Sequence, residues 1–102
     1  MFKEIQQEVN SLEDYIYSKS RSDKDSVFVL LTHLLAECGE AADEIKGMEG
    51  KRAESPSEFS KGELAKELVD IIFNVLRIAH YYDIDVDKYF DERLKGIRDK
   101  FS

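Results

Sequence analysis

Four carboxylates stand in two pairs of matched spacing. Glu37 and Glu40 lie within HLLAECGEAADEI, residues 33–45, and Glu67 and Asp70 lie within KELVDIIFNVLRIAH, residues 66–80. A separation of three residues puts two side chains on one helix face, about 5–6 Å apart at Cβ. The runs around them are apolar, and acids grouped in apolar surroundings are costly unless a cation sits among them. Exposed helix faces tend to mix signs, because Glu–Lys pairs one turn apart stabilise and like pairs destabilise. Here Glu37 has His33 and Ala41 at that range, Glu67 has Glu63 and Ile71, and of the four only Asp70 has a lysine there, Lys66. The plain alternative is that these acids are the solvated edge of a buried helix. A divalent cation accounts better for their clustering. If the two segments pack as antiparallel helices, the four carboxylates converge into an all-oxygen site suited to Mg²⁺, with Mn²⁺ as the alternative. Iron is disfavoured. Di-iron bundles add a histidine in Glu-x-x-His, and positions 40 and 70 are Glu and Asp. A cation among carboxylates neutralises phosphoryl charge, and a carboxylate not saturated by it accepts a proton from water, which is what phosphoryl chemistry requires.

The elements that must position these acids are helices. Four segments carry helical periodicity and none alternates as a strand. The first covers residues 3–19, with Ile5, Val9, Leu12 and Ile16 as its apolar stripe. The second runs from about 26 to 46, capped by Asp25 or Ser26 and stopped by Gly47. Residues 47–60 read as a loop with two glycines and the sole proline, Pro56. The third runs from 61 to 82, opened by a capping box of Ser60 and Glu63. Asp83 or Asp85 caps the fourth, residues 85–101, whose apolar face is Val86, Phe90, Leu94, Ile97 and Phe101. The two central helices are apolar nearly all round, which implies burial. Each keeps a narrow polar stripe: His33, Glu37, Glu40 and Glu44 on one, and Glu63, Glu67, Asp70, Asn74, Arg77 and Tyr81 on the other. The expected fold is all-α, a four-helix bundle-like protomer in one domain spanning residues 1–102. Two short amphipathic helices cannot cover two apolar ones, so the protomer is expected to pack into an oligomeric helical bundle, as a homodimer or a dimer of dimers.

Composition narrows the function classes. With 15 Lys and Arg against 22 Asp and Glu, the net charge is −7. That argues against a nucleic-acid partner, which needs clustered bases. It leaves room for a small phosphate ligand, because a bound cation inverts local charge. The lone Cys38 excludes an intramolecular disulfide and a cysteine-only zinc site. The start MFKEIQQEV lacks a signal-peptide core and no run approaches a membrane span, so the expected location is cytoplasmic.

LLAECGEAADEIKG followed by KELVDIIFNVLRIAH resembles the all-α nucleoside triphosphate pyrophosphohydrolases of the MazG type, whose signature is Glu-x-x-Glu on one helix and Glu-x-x-Asp on the next. Glu37, Glu40, Glu67 and Asp70 match its four acids one for one, and Gly39 and the apolar segment with Asn74 also fit the pattern. The resemblance covers residues 26–82 well and the outer helices by architecture only. It implies Mg²⁺ held by the four acids, attack of water between the α- and β-phosphates, and release of a nucleoside monophosphate and pyrophosphate. It points to nucleotide-pool house-cleaning, with the phosphoribosyl-ATP pyrophosphohydrolases as an alternative of the same chemistry. It also implies phosphate-binding bases near the fourth helix, for which Lys95 and Arg98 are the candidates. His33, one turn before Glu37, is a candidate substrate contact, and Asn74, one turn after Asp70, is a candidate substrate contact, direct ligand or support for a ligand. Arg77, Tyr81, Lys46, Lys51 and Arg52 are weaker ones, with core packing as the ordinary alternative for Tyr81 and a solvated cation for Lys46, Lys51 and Arg52. Cys38 and Gly39 read as residues that permit close helix packing, since neighbouring acids make Cys38 a poor nucleophile. The competing function of another class is a catalytically inactive helical module that senses a nucleotide or binds a protein. Pyrophosphate release separates the two.

Overall fold

A computed structural model gives the backbone of residues 1–20, 27–54 and 61–102, and the side chains of all of these except 16–20 and 51–54. It contains four helices, α1 (Lys3–Ser20), α2 (Val27–Glu54), α3 (Lys61–Tyr81) and α4 (Val86–Lys100), and no strand among the described residues. The all-α expectation holds. Two compact units divide the chain: Met1–Asp23 with Leu76–Ser102, and Lys24–Val75.

The first unit is tied by polar contacts between elements far apart in sequence. Asp87, in the first turn of α4, accepts the backbone amides of Phe2 at 2.5 Å and Lys3 at 3.0 Å, and the terminal ammonium at 3.1 Å. One side chain of α4 thus satisfies the orphan donors at the start of α1. Gln6 bridges the α3–α4 turn, donating to the Ile84 carbonyl at 2.8 Å and accepting from the Val86 amide at 3.3 Å. Glu13 accepts from Arg77 Nε at 2.6 Å and from Nη2 at 3.2 Å, the fork geometry that suits a guanidinium and a carboxylate. The Glu13 side chain is 2 % exposed. His80 Nε2 lies 3.0 Å from Asp14 Oδ1. The Phe2 and Phe90 rings meet at 5.0 Å, and Val9, Leu76 and Ala79 are buried.

This overturns the expected face of α1. Ile5 and Leu12 are half exposed, whereas Gln6 and Glu13 are buried with Val9. Periodicity found the apolar stripe, but buried hydrogen bonds and one ion pair hold the adjacent polar edge inward. Ile16 lies outside the described side chains. The α4 face is likewise open, with no fully buried residue.

The turn after α3 closes by the pattern common at helix ends. The Ile84 amide reaches back to the Ala79 carbonyl at 2.8 Å, and Asp83 takes the left-handed conformation with φ of 54°. Asp85 is the N-cap of α4, accepting the Lys88 amide at 3.3 Å. Of the two caps expected there, the structure selects Asp85.

The second unit is built from α2 and the first part of α3. Leu30 and Ala41 are buried in it. The expectation that α2 stops at Gly47, with a loop from that point, is corrected: the helix continues through Gly47 and Gly50 to Glu54. Gly47 does not adopt a left-handed φ, so it does not end the helix as a C′ glycine would. An interior glycine costs about 1 kcal/mol relative to alanine, which weakens a helix without stopping it. The expected caps Asp25, Ser26 and Ser60 lie outside the described residues. A Cβ on Gly39 would meet nothing within 4 Å and Cys38 is exposed, so neither is needed for packing inside the chain. The burial expected of α2 and α3 is also incomplete: Phe28 is 74 %, Leu35 62 % and Val69 61 % exposed.

Candidate carboxylate site

The second unit contains all four acids, because α2 supplies Glu37 and Glu40 and α3 supplies Glu67 and Asp70. One carboxylate oxygen each from Glu37, Glu67 and Asp70 lies within 4.8 Å of the others. Glu40 is not of that triad, but its carboxyl lies within reach of Glu67. The helical spacing does what it must: positions three apart share a face, and two such faces meet.

Two carboxylate oxygens of the group, Oε2 of Glu37 and Oε2 of Glu67, are buried without a donor among the described residues. A buried acceptor left unpaired carries a desolvation cost, so such atoms call for an explanation. As anions the neighbouring carboxylates have no proton to share, and their contacts become hydrogen bonds only when one is protonated. That raises the Glu40 pKa above its ordinary value, first through the hydrogen bond to Glu67 and then through the charge of Glu67. The Glu67 pKa is raised too, first through its hydrogen bond to Glu37 and then by burial. Asp70 stays exposed and adds its negative charge to both. The group is therefore strained as a set of four anions. It lowers its energy by taking up a proton or a cation. An all-oxygen donor set of this kind fits a hard divalent ion.

The other candidates fall into different surroundings. His33 is exposed on α2, one turn before Glu37. Asn74 is 5 % exposed and donates its amide to the Asp70 backbone carbonyl at 2.9 Å. Lys66 reaches Glu63 at 3.8 Å, although its spacing also allows Asp70. Lys95 and Arg98 are exposed on α4, and Arg77 and Tyr81 also belong to the first unit. Arg77 is engaged by Glu13, and the Tyr81 ring packs edge-on against Tyr82 at 4.9 Å. The polar stripe of α3 is thus divided between two tasks. The spacing could not announce this, because the partner of Arg77 lies 64 residues away in sequence. Lys46 is exposed, and the side chains of Lys51 and Arg52 lie outside the described ones.

Residues 26–100 match the family model of the MazG nucleotide pyrophosphohydrolase domain. No curated protein and no solved structure matches the chain. The match covers well over half of the sequence and contains all four acids. With the paired carboxylates gathered on two helices, the chain belongs to the MazG nucleotide pyrophosphohydrolase family, hydrolases that act on phosphoric anhydrides.

Proposed function

We propose that this protein hydrolyses nucleoside triphosphates to nucleoside monophosphate and pyrophosphate in a Mg²⁺-dependent reaction. The observation that carries the reading is the pair of buried, donorless oxygens on Glu37 and Glu67, set beside Glu40 and Asp70. These four residues would hold the ion, with Mn²⁺ as the alternative. When bound, the ion neutralises charge on the phosphate chain and polarises the phosphorus under attack.

The carboxylates do the rest. Water adds to the α-phosphorus, and the bond from that phosphorus to the oxygen bridging to the β-phosphate breaks. The proton of the water passes to a site carboxylate, and the electron pair of the broken bond leaves with pyrophosphate. His33 on α2, and Lys95 and Arg98 on α4, are the proposed contacts to substrate. No helix among the described residues is long and apolar enough to cross a membrane. The reading places the protein in the cytoplasm, acting on free nucleotides as a house-cleaning enzyme.

A second copy of the chain completes this reading. Phe28, Leu31, Leu35 and Ile45 on α2, and Leu68, Val69, Ile72 and Val75 on α3, are all exposed. Large apolar side chains exposed in this number on two helices suit a subunit interface. The proposed assembly is a homodimer or a dimer of dimers. Light scattering at micromolar protein tests it, and a stable monomer contradicts it. For the activity, pyrophosphate release is measured with Mg²⁺ across canonical and modified nucleotides, with chelator as control. Release that depends on Mg²⁺ supports the reading, whereas no turnover of any nucleotide supports an inactive helical module.

A further inference from the structure

Asn74 stands seven residues after Glu67 and four after Asp70, so the three share one face of α3. It is 5 % exposed, while Asp70 beside it is exposed. Its Nδ2 donates to the Asp70 carbonyl at 2.9 Å. In a helix that carbonyl already accepts the backbone amide four residues on, which is the amide of Asn74 itself. A carbonyl oxygen has two lone pairs, so one residue binds it twice and ties the turn that carries Asp70.

Stability alone gives no reason for an amide here. Asparagine is a poor helix former, and burying its polar atoms costs free energy even when one donor is used. A leucine at this position would favour the helix more.

We propose that Asn74 is a positioning residue for the carboxylate site: its amide fixes the Asp70 turn and keeps the Asp70 carboxylate beside those of Glu67 and Glu37. This inference rests on the metal-binding reading above, and it gives Asn74 a role exerted through Asp70 rather than by touching substrate. Residues that orient ligands typically change metal affinity by about 10–100-fold when replaced.

The test compares Asn74→Ala with Asn74→Ser, two variants of nearly equal size. A serine hydroxyl can donate to the carbonyl four residues back, and alanine cannot. The readouts are Mn²⁺ binding to the full chain without nucleotide, by calorimetry, and thermal melting in chelator. The account expects Asn74→Ala to bind Mn²⁺ about tenfold or more weakly. Asn74→Ser should stay nearer the parent, while the two variants melt at similar temperatures in chelator. If both variants bind Mn²⁺ alike, the donor is irrelevant and the inference falls. A parent that binds no Mn²⁺ removes the metal reading, and the inference with it. Should Asn74→Ala not fold, Asn74→Leu, which keeps the bulk and lacks the donor, replaces it with the same expected loss. Parent-like Mn²⁺ affinity in Asn74→Leu then overturns the inference.

Discussion

The two units of this chain treat buried charge in opposite ways. Among the described residues of the unit of α1, α4 and the end of α3, the buried and half-buried charges are answered from within the chain. Glu13 is matched by Arg77, and Asp87 by the amides of Phe2 and Lys3. Among the described residues of the unit of α2 and the first part of α3, the four site carboxylates are answered by one another, and two of their oxygens meet no donor. The first arrangement stabilises a fold. The second costs stability in the isolated chain and becomes favourable only when something cationic arrives. The proposed function makes the unpaired carboxylates the functional set.

The contrast is broken most sharply by removing charge from each unit. Glu67→Gln should lower Mg²⁺-dependent hydrolysis by orders of magnitude, measured as pyrophosphate release, while leaving the chain folded by circular dichroism. Activity within a few-fold of the parent would remove Glu67 from the site. Glu13→Gln should do the reverse. Breaking a buried ion pair by removing one partner typically costs about 3–5 kcal/mol, because the other charge loses its counter-ion. Denaturant melts read that loss, and Mg²⁺ should not selectively rescue it.

Titration provides a second comparison, of opposite sign in the two units. The Asp87 pKa is held below its ordinary value, chiefly by the Phe2 amide. Its contribution is present above the unfolded value of 3.8 and is lost as pH falls through the lower folded value. Asp87→Asn should therefore cost more at neutral pH than in strong acid. Glu40 and Glu67 have raised values, so their contribution is present below the unfolded value of 4.5 and is lost as pH rises through the folded values. In chelator, any advantage of Glu40→Gln over the parent should grow from acid to neutral pH. Thermal melts of parent and both variants across pH check the signs, and parallel profiles would contradict them.

A small effect is expected at the α3–α4 turn. Asp83→Gly relieves a left-handed φ, but it also gives the unfolded chain more freedom, so the net gain should be at most about 1 kcal/mol. A marked destabilisation by this change would mean that the Asp83 carboxylate has a structural role.

Residue spacing revealed more of the site than of the packing. Four helices and two carboxylate pairs are legible because both depend on local periodicity, and the acids met where two such faces must meet. Which face of a helix is covered is a different matter. Ile5 and Leu12 mark an apolar stripe correctly, yet Gln6 and Glu13 point inward, because their partners Ile84, Val86 and Arg77 come from distant parts of the chain. Asp87 is similarly silent in sequence, since its task concerns amides 84 and 85 residues away. Gly47 misled for a local reason: glycine weakens a helix at every position but ends one only where the backbone turns left-handed, and here it does not.

The claim that the carboxylates of α2 and α3 await a cation is tested most directly by thermal melting of the parent and Glu40→Gln, each in chelator and in millimolar Mg²⁺. Removing one of several repelling charges should leave the variant melting at or above the parent in chelator. A ligand that binds only the folded state stabilises it in proportion to ln(1 + [L]/Kd). The weaker-binding variant should therefore fall below the parent once Mg²⁺ is present. A reversal of order between the two conditions is the predicted result. A difference between the two proteins that is the same with and without Mg²⁺ would contradict the account and leave Glu40 on an ordinary solvated helix edge.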